Sequence, residues 1–182
     1  MGDLFKSIKK RNSFASELND SENVIAKIDK YISTGIPAMN AVISGDLFGG
    51  FPTGRITTLF GPSQSGKSFI SALAQKGAQK EGMKIIIFDT EFDKDGRLES
   101  SLGVDLENVM SVPIESIEEL TKEVTNSLND VIDDPEEWGK YLFVIDSIGF
   151  LSSEKILTDI TKDKVSNDMG AKAKLIKQFL FI

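Results

Sequence analysis

The chain contains no cysteine and no histidine. Without cysteine there is no disulfide framework, no thiol nucleophile and no thiolate metal site. Without histidine there is no His-based triad and no His-ligated zinc. Any catalysis must use carboxylates, lysine, hydroxyls, backbone amides or a bound metal ion. Long hydrophobic runs are also lacking. The longest, Ile85–Phe88 and Tyr141–Ile145, are strand-sized, far below the ~20 residues of a membrane span. The first residues, Met1–Arg11, are basic, but no apolar signal-peptide core follows them. The missing cysteine is compatible with a reducing cytoplasm.

What is present is ordinary for a soluble domain. The 182 residues are 40% hydrophobic and 27% charged, enough for one domain with a sizeable core. The net charge is −7, and it is unevenly spread. Residues 1–88 carry 11 basic and 7 acidic side chains, residues 89–140 carry 4 and 16, and residues 141–182 carry 6 and 5. The acidity is therefore confined to the middle, where it reads as the solvated face of connecting helices. Such a balance gives no support to nucleic-acid binding by the chain as a whole. Binding would need a local basic surface.

Hydrophobic periodicity predicts a short amphipathic helix around Leu4, Phe5 and Ile8 and a second apolar patch at Val24, Ile25 and Ile28. Residues 34–54 are rich in turn formers, with room for a short helix over Ala38–Ile43. Arg55–Phe60 is β-branched and aromatic, and predicts a buried strand. A glycine-containing loop and a helix over Lys67–Lys80 follow, with Phe69, Ile70, Leu73, Ala74 and Ala78 on its apolar face. Lys84–Asp89 predicts a second strand. Residues 114–131 predict a helix, with Ile117, Leu120, Val124, Leu128 and Val131 at steps of three and four. Tyr141–Asp146 predicts a third strand, and Asp168–Ile182 a last helix. This alternation implies an α/β fold with a parallel sheet.

The loop carries the chemistry. Gly61, Pro62, Ser63, Gln64, Ser65, Gly66, Lys67 and Ser68 fit the eight-position pattern of a P-loop, between a predicted strand and a predicted helix. Glycines let the backbone curl so that successive N–H groups form an anion nest. The helix adds its positive N-terminal end. Lys67 would reach the β- and γ-phosphates of ATP, and the Ser68 hydroxyl would ligate Mg²⁺. Asp146 ends an apolar strand, where a carboxylate can hold the Mg²⁺ shell. Glu91 lies just past the second strand, where ligands bind in open α/β sheets. It is placed to polarise an attacking water, although Asp89 and Asp93 are neighbours and solvated acids are common.

Together these residues resemble the RecA-type recombinases, most closely the phage branch known as UvsX. The resemblance runs through Thr34–Asn40, Ser44-Gly45, Gly49-Gly50, Thr53–Ile56, the P-loop, Phe88–Phe92, Leu102–Asp105, Val144–Ser147 and the region Ser166–Leu180. It implies a RecA-like P-loop NTPase core over residues 34–182, preceded by an N-terminal oligomerisation arm over residues 1–33. It implies Glu91 as the catalytic glutamate beside Lys67, with ATP and Mg²⁺ as cofactors. It further implies single-stranded DNA as partner, self-association into a helical filament, and a cytoplasmic location, that of the host cell if the chain is phage-encoded. Two DNA loops follow the Asp146 strand in such proteins. The first would fall near Lys155–Lys172, with Lys162, Lys164, Lys172 and Lys174 as phosphate contacts.

The chain departs from the family at its C-terminal end, in the helix after that first loop. The family's next strand lies between the P-loop strand and the Asp146 strand, so these two are expected to flank a gap. A truncated gene fragment, a split gene with a separate C-terminal half, and a deliberately shortened piece all fit. The leading expectation is an ATP-binding, DNA-dependent ATPase part of a homologous recombination and repair protein. The alternatives are another RecA-core ATPase, such as a helicase or repair relative, and a non-catalytic filament assembly piece.

Overall fold

The computed structural model describes residues 4–12, 15, 28–154 and 169–179. The expected patch at Val24 and Ile25, and Lys162 and Lys164, lie outside these residues. The first helix, α1 (Leu4–Arg11), buries none of its residues. A two-residue antiparallel ribbon follows, β1 (Tyr31–Ile32) with β2 (Phe51–Pro52). Between them lies α2 (Pro37–Ser44), with proline in its first turn and Gly45 in the left-handed conformation after its end.

The centre is a three-stranded parallel sheet in the order β4-β3-β5. Its strands are β3 (Lys84–Asp89), β4 (Val109–Pro113) and β5 (Tyr141–Asp146). Alternation along the strands sorts the core into two halves. Ile85 and Ile87 of β3, with Leu142 and Val144 of β5, pack against Ile70, Ala74 and Ala78 of α3 (Lys67–Lys80). Phe88 and Ile86, with Phe143 and Ile145, face Ile117, Leu120 and Val124 of α5 (Ile117–Asp133). Leu175, Ile176 and Phe179 of α6 (Met169–Phe179) join this second half. A short α4 (Arg97–Ser101) lies between β3 and β4. Helix α5 starts where it does because Ser116 Oγ accepts the Glu119 N–H at 3.1 Å and Glu119 reaches back to the Glu115 N–H.

One expected strand is absent, and one observed strand was not expected. Arg55–Phe60 joins no sheet: Ile56 is 73% and Phe60 100% exposed. A strand is held by its ladder partners, and among the described residues no strand forms a ladder with this segment. Among the described residues, strand β5 has β3 on one side only and forms the sheet edge on the other. In contrast, Val109–Pro113 takes an edge position beside β3 in full register, from Ile85↔Val109 to Asp89↔Pro113. Phe69, expected on the buried face of α3, is also exposed at 41%.

Helix α3 is anchored to the ribbon by direct backbone contact. A Cβ added at Gly77 would lie 2.2 Å from the Ser33 carbonyl oxygen and 2.8 Å from Ile32 Cγ2. In a free helix alanine is favoured over glycine by about 1 kcal/mol. Here the overlap with backbone outweighs that gain, since overpacking costs about 1–3 kcal/mol. Gly77→Ala is therefore expected to lower the urea unfolding midpoint. An unchanged or higher midpoint would show that α3 and the ribbon can separate freely.

Candidate nucleotide site

The P-loop residues Gly61–Gly66 form a tight turn leading directly into α3. Ser65 N–H donates to the Pro62 carbonyl at 3.3 Å, and a Cβ at Gly61 would sit 2.7 Å from Ser65 Oγ. Gly66 takes φ +89° at the helix cap, which only glycine adopts without strain. Ser63 and Gln64 are exposed, as is Ser68 in the first turn of α3. Lys67 folds back over the loop, where its ammonium donates to the carbonyls of Gly61 (3.0 Å) and Pro62 (2.8 Å). The first turn of a helix has no internal acceptors for its N–H groups, so this end is an anion-seeking surface.

Helix α3 connects to β3 through Glu81, Gly82 and Met83 alone. The helix is about 21 Å long and the strand about 20 Å. The helix packs on β3 and β5. Its N-terminus is therefore level with the C-terminal ends of those strands. Pairing runs to the last residue there, Asp89 beside Asp146. The junction is laced by Thr90, whose hydroxyl accepts the Ser147 N–H and donates to the Ser147 carbonyl, both at 2.8 Å. Thr90 N–H also donates to the Asp146 carbonyl at 3.0 Å.

Asp89 shapes the loop beyond β3. It is 5% exposed. One of its carboxylate oxygens accepts the N–H groups of Glu91 and Phe92 at 3.0 Å, and the other that of Lys94 at 3.3 Å. These bonds hold Phe92 at φ +57°. Gln64, at φ +60°, is the other non-glycine residue in that region among those described. Both lie at this site, where backbone strain concentrates when surroundings over-determine it.

The same loop delivers two charges to the strand ends. Glu91 Oε1 accepts the Ser147 hydroxyl at 3.1 Å. Lys94 Nζ lies 2.6 Å from Asp146 Oδ2 and 3.6 Å from Glu99 Oε1. Burial pulls the Lys94 ammonium toward neutrality, but the Asp146 hydrogen bond and the charges of Asp146, Glu99 and Asp93 outweigh it. Its pKa is raised above the ordinary lysine value, so it is a standing cation at neutral pH.

The structure thus brings Glu91, Asp146 and Ser147 together. Among the described residues, no hydrogen bond or ion pair links them to the P-loop side chains, whose helix starts at the same end of the sheet. Of the candidate DNA contacts, Lys172 Nζ donates to the Gly149 carbonyl at 2.8 Å, and Lys174 is exposed on α6. Sequence reasoning passed over Lys94 and the loop-organising role of Asp89. A signal for Lys94 existed: it is one of 4 basic residues set among 16 acidic ones in residues 89–140.

The donor set suits magnesium. No cluster of three or more acidic side chains, as an all-protein metal cage would need, occurs among the described residues. A carboxylate and a serine hydroxyl fit the way Mg²⁺ is bound, through one or two carboxylates plus substrate phosphates. Asp146 already carries a cation, that of Lys94.

The profile of the RecA N-terminal domain matches residues 3–181. The chain belongs to the RecA N-terminal domain family. The recombination and repair protein of Enterobacteria phage T4 is 33% identical over 153 residues, covering 83% of this chain and 38% of that protein. Protein RecA of Acholeplasma laidlawii is 33% identical over 131 residues, covering 71% and 36%. Protein RecA of Chlorobaculum parvum is 32% identical over 151 residues, covering 83% and 40%. The chain thus spans well under half the length of these relatives. The three-stranded parallel sheet with helices on both faces is an incomplete RecA-like α/β core. No helix among the described residues is long and apolar enough to cross a membrane.

The Asp89 carboxylate yields a prediction. Asp89→Ala removes the acceptor for three N–H groups and is expected to cost about 1.5–3 kcal/mol. Amide hydrogen exchange at residues 91, 92 and 94 should accelerate with it. Asp89→Asn keeps one carbonyl acceptor and should lose less. Equal protection in all three proteins would mean that the loop is shaped by something else.

Proposed function

We propose that this chain binds ATP with Mg²⁺ through its P-loop, as the N-terminal part of a recombination and repair ATPase. The observation that carries the reading is the shared level of two features: the P-loop at the start of α3, and the acidic strand ends bearing Asp146 and Glu91. Family membership and the names of the relatives support the recombination and repair role.

In this reading Lys67 leaves the Gly61 and Pro62 carbonyls for the β- and γ-phosphates. The backbone N–H groups of Gly61–Ser68 cradle the phosphate oxygens. Ser68 and Asp146 hold the magnesium ion, which supplies charge neutralisation on the phosphates. Glu91, steadied by the Ser147 hydroxyl, accepts a hydrogen bond from the attacking water and aims it. None of this needs histidine or cysteine. Single-stranded DNA is the proposed macromolecular partner of the whole protein, with Lys162, Lys164, Lys172 and Lys174 as salt-sensitive phosphate contacts. Residues 1–33 are the proposed arm for self-association into a filament. The exposed apolar residues of α1, Leu4 and Phe5 at 63%, are consistent with it.

One observation favours a second reading. Arg55–Phe60, which leads into the P-loop, is exposed and belongs to neither sheet. A P-loop on such a support favours a chain that contributes to an assembly without turning over nucleotide by itself.

Binding of a fluorescent ATP analogue in Mg²⁺ tests the nucleotide reading. The unsubstituted chain is expected to bind it, and Lys67→Ala to bind about 100-fold more weakly, as loss of a charge-assisted phosphate contact of ~3 kcal/mol implies. Equal affinity in both proteins, or none in either, overturns the nucleotide reading. ATP hydrolysis stimulated by single-stranded DNA would discard the assembly-piece reading.

A further inference from the structure

Asp146 is not free in this chain. Lys94 Nζ meets its Oδ2 at 2.6 Å, and both side chains are mostly buried, at 16% and 25% exposure. The lysine arrives there by a specific route. Its backbone N–H is fixed by Asp89, itself buried at the end of β3. Its side chain then crosses to the end of β5. A second acid, Glu99 of α4, lies 3.6 Å from the same ammonium and is 4% exposed.

We propose that Lys94 is a tethered counter-ion for Asp146, displaced when a divalent cation reaches that carboxylate. The inference rests on the reading above that Asp146 receives the cation. Two cations cannot share one carboxylate oxygen without repulsion, and in a partly buried site water screens that repulsion only weakly. The lysine has somewhere to go: Glu99 is already within reach and would hold the ammonium after it leaves Asp146. The displacement is also coupled to Glu91. Both residues hang from the one loop whose N–H groups Asp89 holds, with Glu91 three positions before Lys94. Cation arrival at Asp146 therefore releases one side-chain anchor of the loop that positions Glu91, leaving the Asp89 bonds to its backbone and the Ser147 hydroxyl on Glu91. In the cation-free chain, the lysine keeps the acidic strand ends from repelling each other.

Binding of Mn²⁺ alone, without nucleotide, tests the displacement. Free Mn²⁺ is counted by electron paramagnetic resonance. Lys94→Met is expected to bind Mn²⁺ about tenfold more tightly than the unsubstituted chain, the factor that 1.4 kcal/mol of competition produces. The gain should vanish in the Lys94→Met, Asp146→Asn double variant. Equal affinity with and without Lys94, or binding by neither protein, overturns the proposal. The unsubstituted chain gives a second readout that does not depend on the variant folding. Competitive acetylation of Lys94 should rise several-fold as Mn²⁺ is added, relative to the exposed Lys122. No rise at any Mn²⁺ concentration also overturns it. Failure of the ATP analogue to bind any of these proteins would count against the nucleotide reading, while the Mn²⁺ comparison still decides the role of Lys94.

Discussion

Everything at the candidate site depends on the pairing of β3 with β5 up to its last residue. That register sets Asp89 beside Asp146, two carboxylates at neighbouring strand ends. Left alone they would repel, and each is answered differently. Asp89 is satisfied by three backbone N–H groups of the loop it starts. Asp146 is satisfied by the Lys94 ammonium that the loop carries back. One carboxylate builds the loop, and the loop neutralises the other. Thr90 and Ser147 close the seam between the strands with reciprocal hydrogen bonds. A one-residue slip would turn the strand faces over and separate these partners.

Much of this was legible in the sequence. Helix α3 and strands β3 and β5 coincide with the apolar runs and the 3.6-residue period, because those elements bury the residues that define the patterns. The P-loop was legible because its spacing is dictated by phosphate geometry rather than by the rest of the fold. The two errors in strand assignment share a cause. Arg55–Phe60 has the composition of a buried strand, but composition cannot supply a neighbouring strand, and the segment stands outside both sheets. Val109–Pro113 has a weak pattern, with three of its five residues exposed, yet it pairs because β3 offers it an edge. Lys94 was invisible for a related reason. Its role depends on Asp146, 52 positions further along, and on a loop shape imposed by Asp89.

The charge map gains meaning in the same way. The acidic middle of the chain reads as a solvated face, and for the outward side of α5 that holds: Glu119 and Lys122 are exposed. It does not hold for Asp89 and Glu99, which are both buried. These acids are internal, one organising backbone and one facing an ammonium. A net count of charge cannot distinguish an acid that faces water from one that holds a loop.

The open side of β5 has a consequence for the chain in solution. Its outer N–H and C=O groups have no ladder partner among the described residues, and elsewhere on the chain Ile56 and Phe60 are exposed. An unpaired edge is a hydrogen-bonding template for any extended chain, including another copy. The net charge of −7 opposes that encounter, but salt screens charge over about 8 Å at physiological strength. Ionic strength therefore governs how long the chain remains dispersed: low salt lets like charge hold copies apart, and high salt leaves the β5 edge and the exposed apolar side chains to decide.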